Sequence, residues 1–383
     1  MGQVFITGAT GYIGTHAAVR LVRRPDTVLA PLVRAPDPRR ALERLWHTWQ
    51  LEMDAQEFAA HVEAGRIRPV CGELTDPGLG LSPAVRQRLV EETTSVLHIA
   101  ASLNRRSAKA CFNVNLRGTL EVLQLARAMQ DHHPLRRFTD VSTVAVAGPH
   151  QDACIAEDDM VDWDRSDYDP YARTKKFCEH MLQTLLPDVP HAVVRPSTVL
   201  GDSRHPRTFQ FDMVRAFVWL AQAPLLPLDP AWRMDIVPVN WVADAMVAVH
   251  SAPVLAQTSF NLSAGPGSES YGTLLDGLMA AGAPRRPLFV PRWNRTSQWL
   301  FDQGATAPRG WPITGPAALL KVFWPYLSNN TVFDNAHTLA LVGRAPASFS
   351  TYAWPLFRFA ADGGFTFPHQ PWPGPMPMPP EAA

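Results

Sequence analysis

Three glycines spaced three apart, Gly8, Gly11 and Gly14, follow directly on the apolar run Val4-Phe5-Ile6. Few folds accept that arrangement. Val, Phe and Ile favour a pleated strand, and the turn after them needs a residue without Cβ, so the stretch predicts strand, phosphate loop and helix. The first glycine permits the tight turn, the second lets backbone N–H groups approach a pyrophosphate, and the third lets the helix pack closely on the strand. The expected ligand is a dinucleotide, held by Thr7, Gly8, Thr10, Gly11, Tyr12, Ile13 and Gly14. Taken alone, the motif also occurs in structural turns without a ligand.

The rest of the chain repeats the alternation. Residues 15–24 predict a helix, 27–33 a strand, 37–49 a helix opened by Asp37-Pro38, 67–72 a strand, and 82–92 a helix opened by Ser82-Pro83. A strand at 95–100, a long helix at 108–131, a strand at 137–142, a helix capped by Asp169-Pro170 and a strand at 191–195 follow. Strands alternating with helices through short connections imply an α/β, doubly wound parallel sheet of Rossmann type, with ligands at the carboxyl ends of the strands. Residues 1–200, with part of 234–262 returning to them, are expected to form the nucleotide-binding domain. Residues 201–366, where Pro and Trp become frequent (Trp219, Trp232, Trp241, Trp293, Trp299, Trp311, Trp324), are expected to form a smaller, mostly helical substrate lobe with an apolar cleft. The Pro-rich segment 367–383 is expected to be a flexible tail.

Composition narrows the ligand. The 383 residues include 46% hydrophobic side chains, and 35 basic groups balance 35 acidic ones, so no global charge favours nucleic acid. A small molecule is the expected partner. Cys71, Cys111, Cys154 and Cys178 are widely spaced, which argues against a zinc site or a disulfide framework, and no metal centre is expected. The first strand begins within three residues and no apolar run reaches bilayer length, so a cytoplasmic protein without a transmembrane segment is expected.

Tyr171 and Lys175 stand four apart on one face of a helix, within reach of one bound molecule. That spacing suits proton transfer, because a nearby cation favours phenolate in a residue whose ordinary pKa is about 10. The same spacing also occurs on plain surface helices. Ser142 and Thr143 offer adjacent hydroxyls at a strand end, able to bind a substrate oxygen or only to satisfy the backbone there.

With Gly8 to Gly14, Thr143 and Tyr171-Ala-Arg-Thr-Lys175 in this order, and Asn113-Val-Asn115 between the first two, the chain resembles the extended short-chain dehydrogenase/reductase family. The resemblance implies Thr143 as catalytic hydroxyl, with Ser142 second in line, Tyr171 as proton donor or acceptor, and Asn115 supporting the active-site lysine. Lys175 would bind the nicotinamide ribose and depress the tyrosine pKa. It further implies that Ala100 and Ala101 lie under the cofactor and that Pro196, Ser197, Thr198 and Val199 line the nicotinamide. Leu32-Val33-Arg34-Ala35 with Arg44, and Gly72-Glu73-Leu74-Thr75-Asp76-Pro77-Gly78-Leu79-Gly80-Leu81-Ser82, look like a narrower branch, the thioester reductases and fatty acyl reductases called male-sterility-like. In that branch Glu73 and Leu74 would face the adenine, Glu73 replacing the usual aspartate. Asp140, inside an apolar strand, must be paired, protonated or solvent-facing.

An acidic residue at the end of the second strand would bond ribose hydroxyls and repel a 2′-phosphate, and here the position is Arg34. With Arg39, Arg40 and Arg44 nearby, NADPH is expected over NADH. A second group, Arg285, Arg286, Arg292 and Arg295, interleaves with Phe289 and Trp293 and is either solvated or suited to the phosphates of coenzyme A or an acidic carrier protein. The expected activity is reduction of a carbonyl, foremost an acyl thioester, to aldehyde or alcohol. The alternatives are a nucleotide-sugar epimerase or dehydratase, a hydroxysteroid or ketone dehydrogenase, and a non-catalytic NADP-sensing module.

Overall fold

The computed structural model describes residues 2–158, 161–306 and 314–380. Its central sheet has seven strands, β1 (Gly2–Thr7), β2 (Thr27–Val33), β3 (Val70–Cys71), β4 (Thr93–His98), β5 (Arg137–Val141), β6 (His191–Pro196) and β7 (Ser259–Leu262). They lie in the order β3-β2-β1-β4-β5-β6-β7, each pair parallel. The winding reverses between β1 and β4, and the crevice that such a reversal opens is where nucleotides bind in sheets of this kind.

The sheet is clothed by α1 (Tyr12–Val22), α2 (Pro38–Trp49), α3 (Ala55–Glu63), α4 (Pro83–Glu92), α5 (Gly118–His132) and α6 (Pro170–Leu185). Further along are α7 (Asp212–Gln222), α8 (Val239–Ser251), α9 (Tyr271–Ala280), α10 (Asn294–Gly304), α11 (Thr314–Ser328), α12 (Ala336–Val342) and α13 (Ala353–Asp362). Alternation along β1 sets the layers. Val4 and Ile6 pack in one cluster with Ala17, Leu21, Trp241 and Ala245, from α1 and α8. Phe5 points the other way, into a cluster with Leu89, Val122, Ala126 and Phe138. Val214, Phe217, Leu274, Trp324 and Leu356 build a separate core among the C-terminal helices.

Asp37, Ser82 and Asp169 each accept a hydrogen bond from the backbone N–H three residues on, which starts α2, α4 and α6 where the sequence places them. Elsewhere the structure departs from expectation. The strand expected over 67–72 shrinks to Val70–Cys71 plus a bridge from Ile67 to Leu29, because Pro69 has no N–H to continue the ladder. The long helix expected over 108–131 is broken by a π-helical stretch, Phe112–Arg117, which contains Asn115. The helix α3 was not expected. Its Asp54 cap holds Glu57 N–H, but only Phe58 and Val62 are buried, too few to make an apolar stripe legible.

The proline-rich end is not a free tail as far as residue 380. Phe367 and Met376 join the main core, and the Trp372 ring meets Trp46 at 5.1 Å and Phe58 at 5.5 Å. Gln50 and Gln370 exchange hydrogen bonds through Gln370 N–H (2.6 Å) and C=O (3.0 Å). Aromatic burial against α2 outweighs the extended bias of the prolines. The tryptophans, likewise, do not share one cleft. Trp241 and Trp324 are buried, Trp293 and Trp299 are exposed, and Trp311 lies outside the described residues.

His250 on α8 ties the sheet together, its ring meeting Ser95 Oγ at 3.1 Å and Thr139 Oγ1 at 2.9 Å. Burial, helped by Arg136, Arg137 and Arg24, lowers its pKa to about 3. An unfolded histidine takes up a proton near pH 6.5, so stability present above that value is lost as pH falls from about 6.5 towards the folded value. His250→Gln, with no ring to protonate, should flatten this loss. Denaturant titrations at several pH values in that window measure it, and equal slopes for both proteins would remove His250 as a contributor.

Candidate active site

The expected site residues gather along the carboxyl edge of the sheet. Gly8 follows β1, Arg34 follows β2, Glu73 lies just past β3, Ala100 past β4, Thr143 past β5 and Ser197 past β6. The glycine loop is built to admit an anion. Gly8 has φ +76°, and a Cβ there would lie 2.7 Å from Ala100 N, while one on Gly14 would lie 1.9 Å from Gly8 O. Gly11 caps α1 without any side-chain hydrogen bond, leaving first-turn N–H groups for a ligand. A pyrophosphate fits this cradle. Two of the expected contacts use their side chains internally. The Thr7 hydroxyl accepts from Ile99 and Ala100 N–H, both at 3.2 Å, and meets His98 Nδ1 at 2.7 Å. The Tyr12 ring packs edge-on against His16 and Phe209.

At the edge of this crevice Arg34 extends largely into solvent, with Nη1 3.3 Å from Glu73 Oε2. Arg44 Nη1 donates to the Arg34 carbonyl at 2.6 Å. Arg39 and Arg40 both pair with Glu43 instead. Leu74 is buried against Gly118, so its side chain supports the entry to α5.

At the end of β5 neighbouring residues face opposite ways. Ser142 donates to Glu179, which also receives both Nε and Nη2 of Arg195, so its hydroxyl is committed behind α6. Thr143 stands on the other side, its Oγ1 accepting from Ala145 N–H at 3.3 Å, and it is among the groups that work to lower the Tyr171 pKa. Tyr171 and Lys175 lie one turn apart on α6, both buried. Asn115 anchors the floor. Its Oδ1 accepts from Ser102 N–H at 2.6 Å, and its Nδ2 donates to Ser102 O at 3.3 Å and Thr174 Oγ1 at 3.0 Å.

Asp140 is paired with Lys175, which works against the burial that pushes its carboxyl above the usual range. Lys175 Nζ lies 3.3 Å and 3.4 Å from its two oxygens, with both residues 1% exposed. Burial works to lower the Lys175 pKa, but Asp140, with Cys178 and Tyr171, outweighs it and holds the ammonium charged above the ordinary lysine range. The expected depression of the tyrosine is not what emerges. Burial pushes the Tyr171 pKa up overall, and Arg105 and then Lys175 only partly oppose it. The phenol is therefore protonated at neutral pH, which equips it to donate.

Arg105, Asp169 and Tyr326 were missing from the expected site. The Arg105 guanidinium lies 4.7 Å from the ring centroids of both Tyr171 and Tyr326, and its Nη1 donates to Asp169 Oδ2 at 2.8 Å. Only the position of Arg105, in the loop after β4, could have pointed to it. A cleft lined by Val144, Ala145, Tyr168, Ser197, Thr198, Met234, Tyr326 and Phe333 adjoins this group. On the far side of α1, His16, Glu52 and Asp202 converge, but Arg20 and Arg204 already pair with Glu52, and Arg204 with Asp202. These pairs tie the set into an ion network. Of the C-terminal arginines, Arg286 pairs with Asp276 and Arg285 with the Gln222 carbonyl, while Arg292 and Arg295 are exposed.

Residues 6–246 match the family model described as male sterility protein, with an NAD-binding domain. The chain belongs to this family. The male sterility match takes in the glycine loop, Thr143, Tyr171, Lys175 and the segment after β6, whereas α9 to α13 lie beyond it. Nonribosomal peptide synthetase asaC of Aspergillus flavus is 27% identical over 272 residues, which cover 68% of this chain and 26% of that protein. Aldehyde reductase lnaA of the same organism is 25% identical over 369 residues, covering 88% of this chain and 33% of that protein. This chain thus spans only a part of either relative. The solved terminal R domain from the myxalamid PKS-NRPS biosynthetic pathway superposes with a TM-score of 0.78 at 23% identity, covering 95% of this chain and 92% of the other, which establishes the shared fold. Among the described residues no helix is long and apolar enough to cross a membrane.

Proposed function

We propose that this chain is an NADPH-dependent reductase acting on an acyl thioester, carried on coenzyme A or a carrier protein, and yielding aldehyde or alcohol. The observation that carries this reading is the convergence of Thr143, a protonated Tyr171 and a charged Lys175 beside a glycine loop shaped for pyrophosphate. The nicotinamide supplies hydride when bound. Thr143 and Tyr171 hold the carbonyl oxygen, and Tyr171 gives it a proton as negative charge develops there. Expulsion of the thiol from the resulting hemithioacetal leaves the aldehyde. Lys175, anchored by Asp140, orients the ribose, and Asn115 keeps the loop after β4 in place. The name of one relative, an aldehyde reductase, supports reduction of a carbonyl, and that of another, a nonribosomal peptide synthetase, is in keeping with a carrier-bound substrate.

The purified protein should oxidise NADPH, followed at the nicotinamide absorbance band, with acyl-CoAs or acylated carrier proteins. Turnover with ketones or UDP-sugars but not with thioesters would reject the proposal. Arg34 and Arg44 supply the preference for the 2′-phosphate. Arg34→Asp should therefore weaken NADPH at least tenfold while leaving NADH within a few fold, since one charge-assisted pair is worth about 1.5–3 kcal/mol. Equal losses for the two cofactors, read by fluorescence titration, would overturn that assignment.

A further inference from the structure

Lys175 is the cation expected beside the phenol, yet its charge is already opposed by Asp140 at 3.3 Å. A second cation meets the ring of Tyr171. Arg105 lies over it at 4.7 Å and does not hold that position alone. The guanidinium also lies 4.7 Å from the Tyr326 ring and 5.8 Å from the Phe323 ring, both from α11. Tyr326 Oη hydrogen-bonds to Arg105 and donates to Asp169 Oδ2 at 2.8 Å, while the Tyr326 ring stacks on Tyr168 at 4.4 Å. Asp169 is in turn the N-cap of α6, holding Ala172 N–H at 2.9 Å, and the next arginine of the same loop, Arg106, donates to the Ala318 carbonyl of α11.

We propose that Arg105 is a positioning residue for proton delivery by Tyr171, and that α11 of the C-terminal lobe sets it by clamping its guanidinium between Tyr326, Asp169 and the Tyr171 ring. The inference rests on reading Tyr171 as the proton donor. It gives the C-terminal lobe a task besides shaping the cleft, because a lobe that is not docked leaves the donor without its second cation.

The groups around this face divide clearly. On α6 stand Tyr171, Lys175 and Cys178, whose thiol is pushed up to about 11 by burial and so stays neutral at physiological pH. Asp169 sits at the helix cap, Asp140 comes from β5 behind Lys175, Arg105 from the loop after β4, and Tyr326 from α11. Burial holds Tyr326 protonated far above the ordinary tyrosine range, so it serves as a neutral hydrogen-bonding group. As Tyr171 gives up its proton, the negative charge that forms is met by two cations, each balanced by a carboxylate of its own, Asp169 for Arg105 and Asp140 for Lys175. Arg105 is the largest of the influences that pull the phenol down against burial, ahead of Lys175 and Thr143. Removing it therefore raises the pKa of the donor.

The sign of the experiment follows. The protonated phenol is the active form in reduction, so kcat falls on the alkaline side as Tyr171 ionises, and loss of Arg105 moves that limb to higher pH. With the full chain, NADPH and a saturating acyl-CoA, Arg105→Gln should lower kcat at least tenfold and shift the alkaline limb upward by about one pH unit, with the Kd for NADPH unchanged. Arg105→Lys should recover part of the shift. Tyr326→Phe, which removes one hydroxyl and keeps the ring, should move the limb in the same direction by less, and it decides the matter should Arg105→Gln fail to fold. A lower kcat with an unmoved limb in both variants, or a rise confined to KM, would overturn the proposal. Tyr171→Phe separates the two levels. Full turnover in that variant removes the donor itself, whereas an inactive Tyr171→Phe beside an unmoved limb in Arg105→Gln overturns only the role of Arg105.

Discussion

Tyr171→Phe should cut turnover by about 10²–10⁴-fold, the usual contribution of a positioned general acid, while NADPH binds almost as before. The variant keeps the ring that packs against Arg105 and loses only the hydroxyl that reaches towards Thr143. Its fold should therefore survive. Because burial lifts the phenol above its ordinary value, wild-type reduction should run at a steady rate through neutral pH and decline only in the alkaline range, where the donor ionises. The reverse reaction, oxidation of an alcohol, needs the phenolate and should show the opposite profile, rising where reduction falls. Absorbance assays of both directions, with fluorescence titration of NADPH, measure all of this. Turnover of Tyr171→Phe within a few fold of wild type would take the phenol out of the mechanism.

What was legible in the sequence is what local chemistry decides. Glycine spacing, the acidic or hydroxyl cap followed by proline, and short β-branched runs each act within a few residues, and they placed β1, β2, α2, α4 and α6. The same holds for Tyr171 and Lys175, which share a face because a helix turn puts them there. Partners brought together by the sheet were not legible. Asp140 reads as an anomaly in an apolar strand until β5 is laid under α6 and its carboxylate meets Lys175. Arg105 and Tyr326 carry no mutual signal, since one sits in a loop after β4 and the other on a helix of a different lobe. The tail misled for another reason: proline content describes the backbone's preference in isolation, whereas Trp372 and Phe367 decide what the segment buries.

Gly14→Ala should be the most damaging glycine-to-alanine change among the described residues. Alanine is the better helix former by about 1 kcal/mol, so propensity alone would make the variant more stable. Geometry decides against it. The added Cβ would lie 1.9 Å from Gly8 O, 2.7 Å from Gly8 C and 3.1 Å from Ala9 Cα, and all three are backbone atoms that no rotamer change can move. Relief requires α1 to slide away from the loop, but Ala17, Ala18 and Leu21 are fully buried in one cluster with residues of β1 and α8, and close-packed interiors resist such shifts. Overpacking of this kind costs about 1–3 kcal/mol or more, enough to outweigh the helical gain and to displace the first-turn N–H groups proposed to bind the pyrophosphate. Gly11→Ala is the informative contrast, since its Cβ would meet only Gly8 O at 3.2 Å and the position is exposed. That variant should keep its melting temperature and lose NADPH affinity if the pyrophosphate approaches the loop as proposed, because the methyl would stand in its way. Thermal unfolding and fluorescence titration of both variants separate the packing glycine from the binding glycine. Normal NADPH affinity in Gly11→Ala would mean that the cofactor does not approach the loop from that side.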